Sequence, residues 1–359
     1  MSKVYILHEN GAPRHFEALF FYNNQSNIVQ VEFTFLRQFI KSILKRDGKL
    51  LRKSLFNLFY LIRFLFMKHS TIIIGAAPYD SFIFYLYLLK NKHNIIYYSS
   101  WPYWDDSKYP KRLRFWGQKK LWIKFLTDIK VVGVTDKVKQ GLLKYTKEEN
   151  INVIPHCINE DTFNLKEKKS FEKFKIIYTG RLIKEKGIDT ILKLIKRFED
   201  DNIEWIFVGS GPYETIIKNE SNKNSNIKFY GQVENKKELA DLYRQSHIII
   251  LPSNTNDQWE ELFGIVLIEG MACGAVPISS NAIGPKTIIE HNSDGFLFEP
   301  NDLSGMQSII EKLKDDPEFY QRLSQTAVEK SKNYSIKRTS EIWGSIIGND
   351  SHVLKLKNA

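Results

Sequence analysis

The sequence predicts an α/β protein built from two doubly wound, Rossmann-like domains, and three observations carry that expectation. Strand-like apolar runs alternate with helical patterns from one end to the other, which is the signature of parallel sheets covered on both faces. The 359 residues exceed what one ordinary domain holds, and 43% apolar residues suffice for two cores. No internal repeat or low-complexity tract interrupts the alternation. In the first half the expected strands are Lys3–His8, Thr71–Ala76, Ile95–Ser100, Val131–Thr135 and Val153–Pro155. In the second half they are Ile176–Thr179, Trp205–Val208, Lys228–Tyr230, Ile248–Pro252, Val276–Ser279 and Gly295–Phe298. The charged stretch Leu165–Lys175 is the best linker candidate, which divides the chain into residues 1–165 and 166–335, followed by a terminal helix from about 336 to 359.

Two windows of the second half carry chemistry. In Glu260–Ser280, EELFGIVLIEGMACGAVPISS, nearly every residue between Leu262 and Ala272 is apolar or glycine, so the helix is expected to be buried. Glu261 stands at its mouth and Glu269 inside it. A carboxylate in such surroundings needs a partner. Eight helical residues span roughly 12 Å, comparable to the distance from a donor sugar to the ribose of its nucleotide. Gly264 lies where free N–H groups and the positive end of the helix dipole favour phosphate. The plainer alternative has Glu269 bonded to a neighbouring loop and Glu261 merely capping. In the second window, KIIYTGRLIKEKGIDTIL, a strand ends at Thr179, turns at Gly180, and presents Arg181 and Lys186 ahead of a helix starting near Ile188. Either cation alone reads as a solvated surface charge. Both on one strand-to-helix turn fit an anion site, because ligands of open α/β sheets bind at the carboxyl ends of strands.

Taken in order, GRLIKEKG, FVGSGP (Phe207–Pro212), EELFGIVLIEGMACGAVPIS and DGFLFEP (Asp294–Pro300) resemble the motifs of the retaining GT-B glycosyltransferases of family 4, also called group 1. INVIPHCINEDTF (Ile151–Phe163) is similar to that family's interdomain strand and turn, and NGAPRHFEAL (Asn10–Leu19) to its first glycine loop. The resemblance spans about residues 3 to 345 and is most specific in the second half. It implies the GT-B fold, two domains facing across a cleft, with a nucleoside-diphosphate sugar on the second, the acceptor on the first, and the terminal helix packed back on the first. Arg181 and Lys186 would hold the diphosphate and neutralise the leaving group, and Glu261 would touch donor-sugar hydroxyls. Glu269 would take the ribose, while Phe263, Gly264 and Ile265 would offer backbone N–H groups. Gly11, Gly180 and Gly209 would let backbone approach the ligand, with base choice set by the loop from Gly209 to Pro212 and sugar choice by the rim at Asn254–Trp259. The transfer would retain anomeric configuration. No Asp-x-Asp triplet is present, so neither metal nor other cofactor is expected, and acid pairs such as Asp105-Asp106 read as surface or loop residues.

The sequence departs from the family pattern at three places. Asn10-Gly11 replaces a glycine pair. Ser100 and Trp101 stand where a histidine near the donor sugar is common, leaving His15 and His156 as candidates for its role against their plainer reading as satisfied polar residues. Thr287 replaces a glutamate.

Charge is divided unevenly. Residues 1–165 hold 25 Lys+Arg and 13 Asp+Glu, net +12, and the remainder 27 and 28, net −1, which together give the +11 of the chain. Leu36–Lys53 has seven basic residues and one acid, and Lys111–Leu126 six and none, both interleaved with large apolar side chains. Such segments fit an anionic membrane surface, or else are ordinary surface helices with their apolar side in the core. Leu55–Met67 is too short to span a bilayer. With no secretory signal ahead of the first strand and only Cys157 and Cys273, a cytoplasmic protein with free thiols, peripheral on the inner face of the membrane, is expected. The expected acceptor is a saccharide, lipid-linked, in cell-surface polysaccharide assembly of the O-antigen or capsule kind. Two other functions compete: a nucleic-acid glucosyltransferase or nucleic-acid binder using the basic half, for which no recognised motif is present, and a non-catalytic partner subunit of the same fold.

Overall fold

The structure is a computed structural model that describes residues 3–9, 11, 13–22, 27–104, 112–166, 173–198, 202–256 and 259–348. Asn10, the Asp105-Asp106 pair, Lys111, the middle of the linker candidate, part of the 254–259 rim and the terminal helix beyond 348 lie outside the described residues. The chain forms two compact units, Met1–His156 with Lys337–Ala359, and Cys157–Ile336.

The first unit runs β1 (Val4–His8), α1 (Glu17–Tyr22), β2 (Ile28–Glu32), α2 (Phe35–Leu44), α3 (Gly48–Phe66), β3 (Thr71–Gly75), α4 (Ile83–Lys90) and β4 (Asn94–Ser99). It continues through α5 (Gln118–Leu126), β5 (Lys130–Gly133), α6 (Asp136–Leu142) and β6 (Ile151–Val153). Its sheet has the order β2-β1-β3-β4-β5-β6, parallel throughout, with Val4 in register with Ile28 on one side and Thr71 on the other. Continuous apolar runs such as Ile72, Ile73 and Ile74, all fully buried, are what a parallel sheet covered on both faces requires. On one face Leu7, Ile74 and Tyr97 join a core with Phe64 of α3, Leu86 of α4 and Trp122 of α5.

Strand β2 was not expected from the sequence. Its IVQVE pattern alternates and ends in an acid, and it lies at the sheet edge with only Val31 and Glu32 buried. The two basic segments also part company. In α5 the apolar residues Trp122, Phe125 and Leu126 are buried, so this helix is an ordinary surface helix facing the core and drops out of the membrane argument, although Trp116 just ahead of it is exposed. In α2 the apolar residues after Phe35 point outward. Among the described residues no helix is long and apolar enough to cross a membrane.

The second unit runs β7 (Phe174–Thr179), α7 (Ile188–Ile195), β8 (Ile203–Val208), α8 (Glu214–Lys223), β9 (Ile227–Phe229), α9 (Lys236–Arg244) and β10 (Ile248–Leu251). It continues with α10 (Ile265–Ala272), β11 (Val276–Ser280), α11 (Ile283–Ile288), β12 (Phe296–Phe298), α12 (Leu303–Asp315) and α13 (Pro317–Ser331). The sheet order is β12-β11-β10-β7-β8-β9, again all parallel. The entry and exit of this unit are tied together. The Ile158 N–H donates to the Tyr334 carbonyl at 2.9 Å, and the Ile336 N–H donates to the Ile158 carbonyl at 2.8 Å and the Glu160 carboxylate at 3.0 Å. These bonds place the unit boundary ahead of the charged stretch Leu165–Lys175. The last helix, α14 (Ile336–Ile347), carries Trp343 into the first unit, where it is buried against Phe16 and Tyr98.

Candidate functional site

The carboxyl end of β7 is where the second unit gathers its polar groups. The chain leaves Thr179 and turns at Gly180, then passes through the exposed Arg181 to a short 3-10 turn, Lys184–Lys186, that leads into α7. Leu182, fully buried, pins this loop, and the Tyr178 hydroxyl donates to the Arg181 carbonyl at 2.6 Å. The neighbouring loop after β8 interlocks with it. The Gly180 N–H donates to the Val208 carbonyl at 3.0 Å, and the Leu182 N–H donates to the Ser210 carbonyl at 2.9 Å. Gly209 has φ +141°, and a Cβ there would overlap the Gly180 carbonyl, so this pair of turns closes only with glycine.

Lys186 and Glu261, 75 residues apart, meet in this space. The ammonium and the Glu261 Oε2 form an ion pair in which both side chains are largely buried, at 15% and 11% exposure. Lys186 also lies over the Trp259 ring, 5.4 Å from its centroid, and the Ser253 hydroxyl donates to the same Glu261 oxygen at 3.5 Å. Glu261 is therefore more than a cap, and it precedes the helix. The helix α10 begins only at Ile265, with the preceding Gly264 at φ +90° and no side-chain cap on its first turn. Phe263 and Gly264 are buried in that entry, and Ile265 is half-buried.

Within α10, Glu269 is 5% exposed. The Tyr243 hydroxyl of α9 donates to its Oε2 at 3.1 Å, and the Thr179 hydroxyl lies 2.5 Å from the same phenol oxygen. Burial, reinforced by the Glu269 carboxylate, pushes the Tyr243 phenol well above its ordinary range, so it stays protonated and donates a hydrogen bond to Glu269. With that proton committed, Thr179 is the donor to Tyr243. The chain of bonds links the end of β7 to the middle of α10. A cleft of about 450 Å³ opens on the other side of the Lys184–Lys186 turn, lined by Lys184, Glu185, Asp189, Asn254 and Asn301; it does not include Lys186 or Glu261.

The remaining candidates are placed as follows. Gly11, at φ +63°, backs onto the Glu32 carboxylate in the first unit. The His15 and His156 rings lie against each other, centroids 4.6 Å apart and tilted by 30°, with His8 at 6.2 Å from His15. Burial lowers His156 to about 3 and, with His15 close by, lowers His8 to about 4; His15 itself is also lowered by burial. The Thr287 hydroxyl is committed to the Gly284 carbonyl at 2.7 Å. Cys157 and Cys273 are both buried and not joined in a disulfide, and burial raises Cys273 to about 12. Sequence reasoning did not single out Tyr243, Ser253 or His8. Tyr243 reads as an ordinary core position of an amphipathic helix, and His8 as the end of an apolar strand.

This architecture, two six-stranded parallel sheets with helices, is the GT-B glycosyltransferase fold. An Anabaena protein, HepE, solved in complex with UDP, superposes with a TM-score of 0.70 at 13% identity over 96% of this chain and 99% of that one. A glycosyltransferase from Rickettsia africae does so with a TM-score of 0.67 at 18% identity over 97% and 100%. Residues 159–330, which hold every second-unit candidate above, match the family model of the glycosyl transferases group 1. An uncharacterized glycosyltransferase of Haemophilus influenzae is 30% identical over 61% of each chain. The lipopolysaccharide core biosynthesis glycosyltransferase LpsD of Rhizobium meliloti is 28% identical over 43% of each. A Campylobacter jejuni N-acetylgalactosaminyltransferase, named for an undecaprenol-diphosphate-linked saccharide, is 28% identical over 66% of this chain and 64% of its own. The aligned stretches thus span less than two thirds of these relatives' lengths.

Proposed function

We propose that the protein transfers a sugar from a nucleoside-diphosphate sugar to a saccharide acceptor, with retention of anomeric configuration. The observation that carries this reading is the buried Lys186–Glu261 pair at the carboxyl end of β7, beside the uncapped start of α10. Arg181 and Lys186 supply the positive charge for the donor diphosphate, so no metal ion is needed in this reading. With donor bound, Lys186 is shared between Glu261 and phosphate, and Glu261 accepts from donor-sugar hydroxyls. The backbone N–H groups of Phe263, Gly264 and Ile265 complete the anion site, and Glu269, oriented by Tyr243, accepts from the ribose. Gly180 and Gly209 keep the loop backbone close to the nucleotide. Catalysis rests on stabilising charge on the departing phosphate oxygen and on positioning the acceptor hydroxyl. The names of the LpsD and Campylobacter relatives support a lipid-linked saccharide acceptor in cell-surface polysaccharide assembly, and in this reading the protein works at the cytoplasmic face of a membrane.

Thermal unfolding in the presence of uridine, guanosine, cytidine, adenosine and thymidine diphosphate sugars tests the donor site, because a ligand that binds the folded state raises its transition with concentration. One nucleotide sugar is expected to stabilise the wild type. Lys186→Ala and Glu269→Ala are each expected to weaken that binding roughly 10- to 100-fold, the worth of a charge-assisted hydrogen bond. Unchanged donor affinity in both variants removes the assignment.

A further inference from the structure

In the α2–α3 hairpin of the first unit, α2 is folded inside out. Leu36, Phe39, Ile40 and Ile43 recur at the spacing of one helical face, the face that an ordinary surface helix turns to the core. All four are exposed, Ile40 and Ile43 by 57% and 58%. On α3, Leu55, Phe59, Ile62 and Phe66 form a second outward stripe. What α2 and the first half of α3 hide is polar: Ser42, Ser54 and Asn57 are nearly inaccessible, and only further along α3 do Leu61 and Phe64 enter the core. Gln38 bonds to the buried Glu32 carboxylate and accepts from Asn57 Nδ2 at 3.2 Å, while the Glu32 N–H donates to Asn57 Oδ1 at 3.1 Å. Lys53 closes the cluster on Glu32 at 2.7 Å. Rolling α2 to cover its apolar stripe would take Gln38 away from the buried Glu32 carboxylate and from Asn57, so the polar cluster holds the stripe outward. Ten of the nineteen exposed large apolar side chains among the described residues belong to these two helices, too many for the scattered exposure of a free surface.

We propose that this hairpin is the surface by which the protein lies on an anionic lipid bilayer. Residues 36–66 carry eight Lys and Arg against the single acid Asp47, and that acid is spent capping α3 through the Lys49 and Leu50 N–H groups. Lys41, Lys45 and Lys49 are exposed beside the apolar stripe, where their stems follow the ridge and their ammonium groups reach lipid phosphates. A second copy of the chain would bring eight cations against eight across a two-fold axis, which disfavours self-association through the same face. The apolar stripes then sit at the headgroup boundary, with the hairpin lying in the plane of the interface. This inference rests on the exposed face alone and not on the transfer reading.

Cosedimentation of the full chain with phosphatidylglycerol-containing vesicles, compared with pure phosphatidylcholine, tests it. Binding is expected on the anionic vesicles at low salt, and about a tenfold or greater loss is expected in Ile40→Glu/Ile43→Glu and in Lys41→Glu/Lys45→Glu. The donor-induced thermal shift should be unchanged in both, which separates this surface from the nucleotide site. Because both native cysteines are buried, an environment-sensitive fluorophore on Ile43→Cys reports the stripe directly, and a blue shift on anionic vesicles is expected. Absence of vesicle binding by the wild type, a fluorophore unmoved by vesicles, or a dimer that Ile40→Glu/Ile43→Glu dissolves while vesicle binding persists would each overturn the proposal.

Discussion

At the end of β1 the first unit packs three imidazoles together, His15 against His156 and His8 beside them, and burial holds their proton affinities down. At the end of β7 the second unit buries charge instead: an ammonium against a carboxylate, and a second carboxylate under a phenol that burial keeps protonated. Both are polar clusters at the carboxyl ends of parallel strands, so topology does not distinguish them. The difference lies in what each buried group is given. An imidazole can leave its proton behind and go inside neutral, whereas the Glu261 and Glu269 carboxylates keep company with a cation and a hydroxyl donor. A cluster of the first kind suits neutral contacts or local structure, and one of the second kind suits a charged ligand.

The largest effect expected from breaking this contrast is at the ion pair. Glu261→Ala leaves the Lys186 ammonium largely buried without its counter-charge, and the second unit should lose about 4 kcal/mol, as one-sided removal of a buried pair does. Replacing both, with Lys186→Met and Glu261→Leu, should recover most of that stability, since an apolar pair of similar volume removes both desolvation costs. Donor binding should stay lost in the double variant. Urea midpoints with hydrogen exchange of β10 and β11 amides read the stability. A double variant no more stable than Glu261→Ala would mean that the pair is not what holds these two loops together.

The histidine cluster makes the stability of the first unit depend on pH. Above about 6.5, the ordinary imidazole value, the three rings are neutral whether the chain is folded or not, and they add no slope. Below it the unfolded chain takes up protons that the folded chain refuses until about 4 at His8 and about 3 at His156, so stability falls as the pH drops through that window. For His156 alone the loss by pH 4 is roughly 3 kcal/mol. Hydrogen exchange of β3 and β4 amides between pH 7 and 4, compared with His156→Gln, measures it. A wild type with no greater slope than the variant would show that His156 is solvated in solution.

How far the sequence reaches is clear from particular elements. The central strands were legible because buried parallel strands are nearly all apolar, and β2 was not, because an edge strand ending in Glu32 looks like a loop. Periodicity identified the apolar stripe of α2 but could not say which way it faces. That direction is set by Glu32 and Asn57, which come from β2 and α3 and meet only in the fold. Lys186 and Glu261 were each legible within their own window, one as a cation on a strand-to-helix turn and the other as a carboxylate at the mouth of an apolar helix, but no spacing rule joins two residues so far apart. Tyr243 was invisible for a similar reason: in KKELADLYR it occupies an apolar position, and its hydroxyl gains significance only from Glu269 on another helix.

That hydroxyl offers the smallest perturbation and the sharpest one. Tyr243→Phe removes one oxygen and leaves the ring and its packing in place. The lost hydrogen bond to a carboxylate should lower stability by about 2 kcal/mol. Thr179→Val, one bond further from the carboxylate, should cost only about 1 kcal/mol, the worth of a neutral bond. If Tyr243 positions Glu269 for the ribose, both variants should weaken donor binding in that same order while leaving the ion pair untouched, so that a further Glu261→Ala substitution adds its full cost independently. Binding measured with the nucleoside diphosphate and with its 2′,3′-dideoxy analogue separates the two roles. A purely structural Tyr243 would weaken both ligands alike, whereas a positioning residue loses affinity only for the ligand that has ribose hydroxyls to offer.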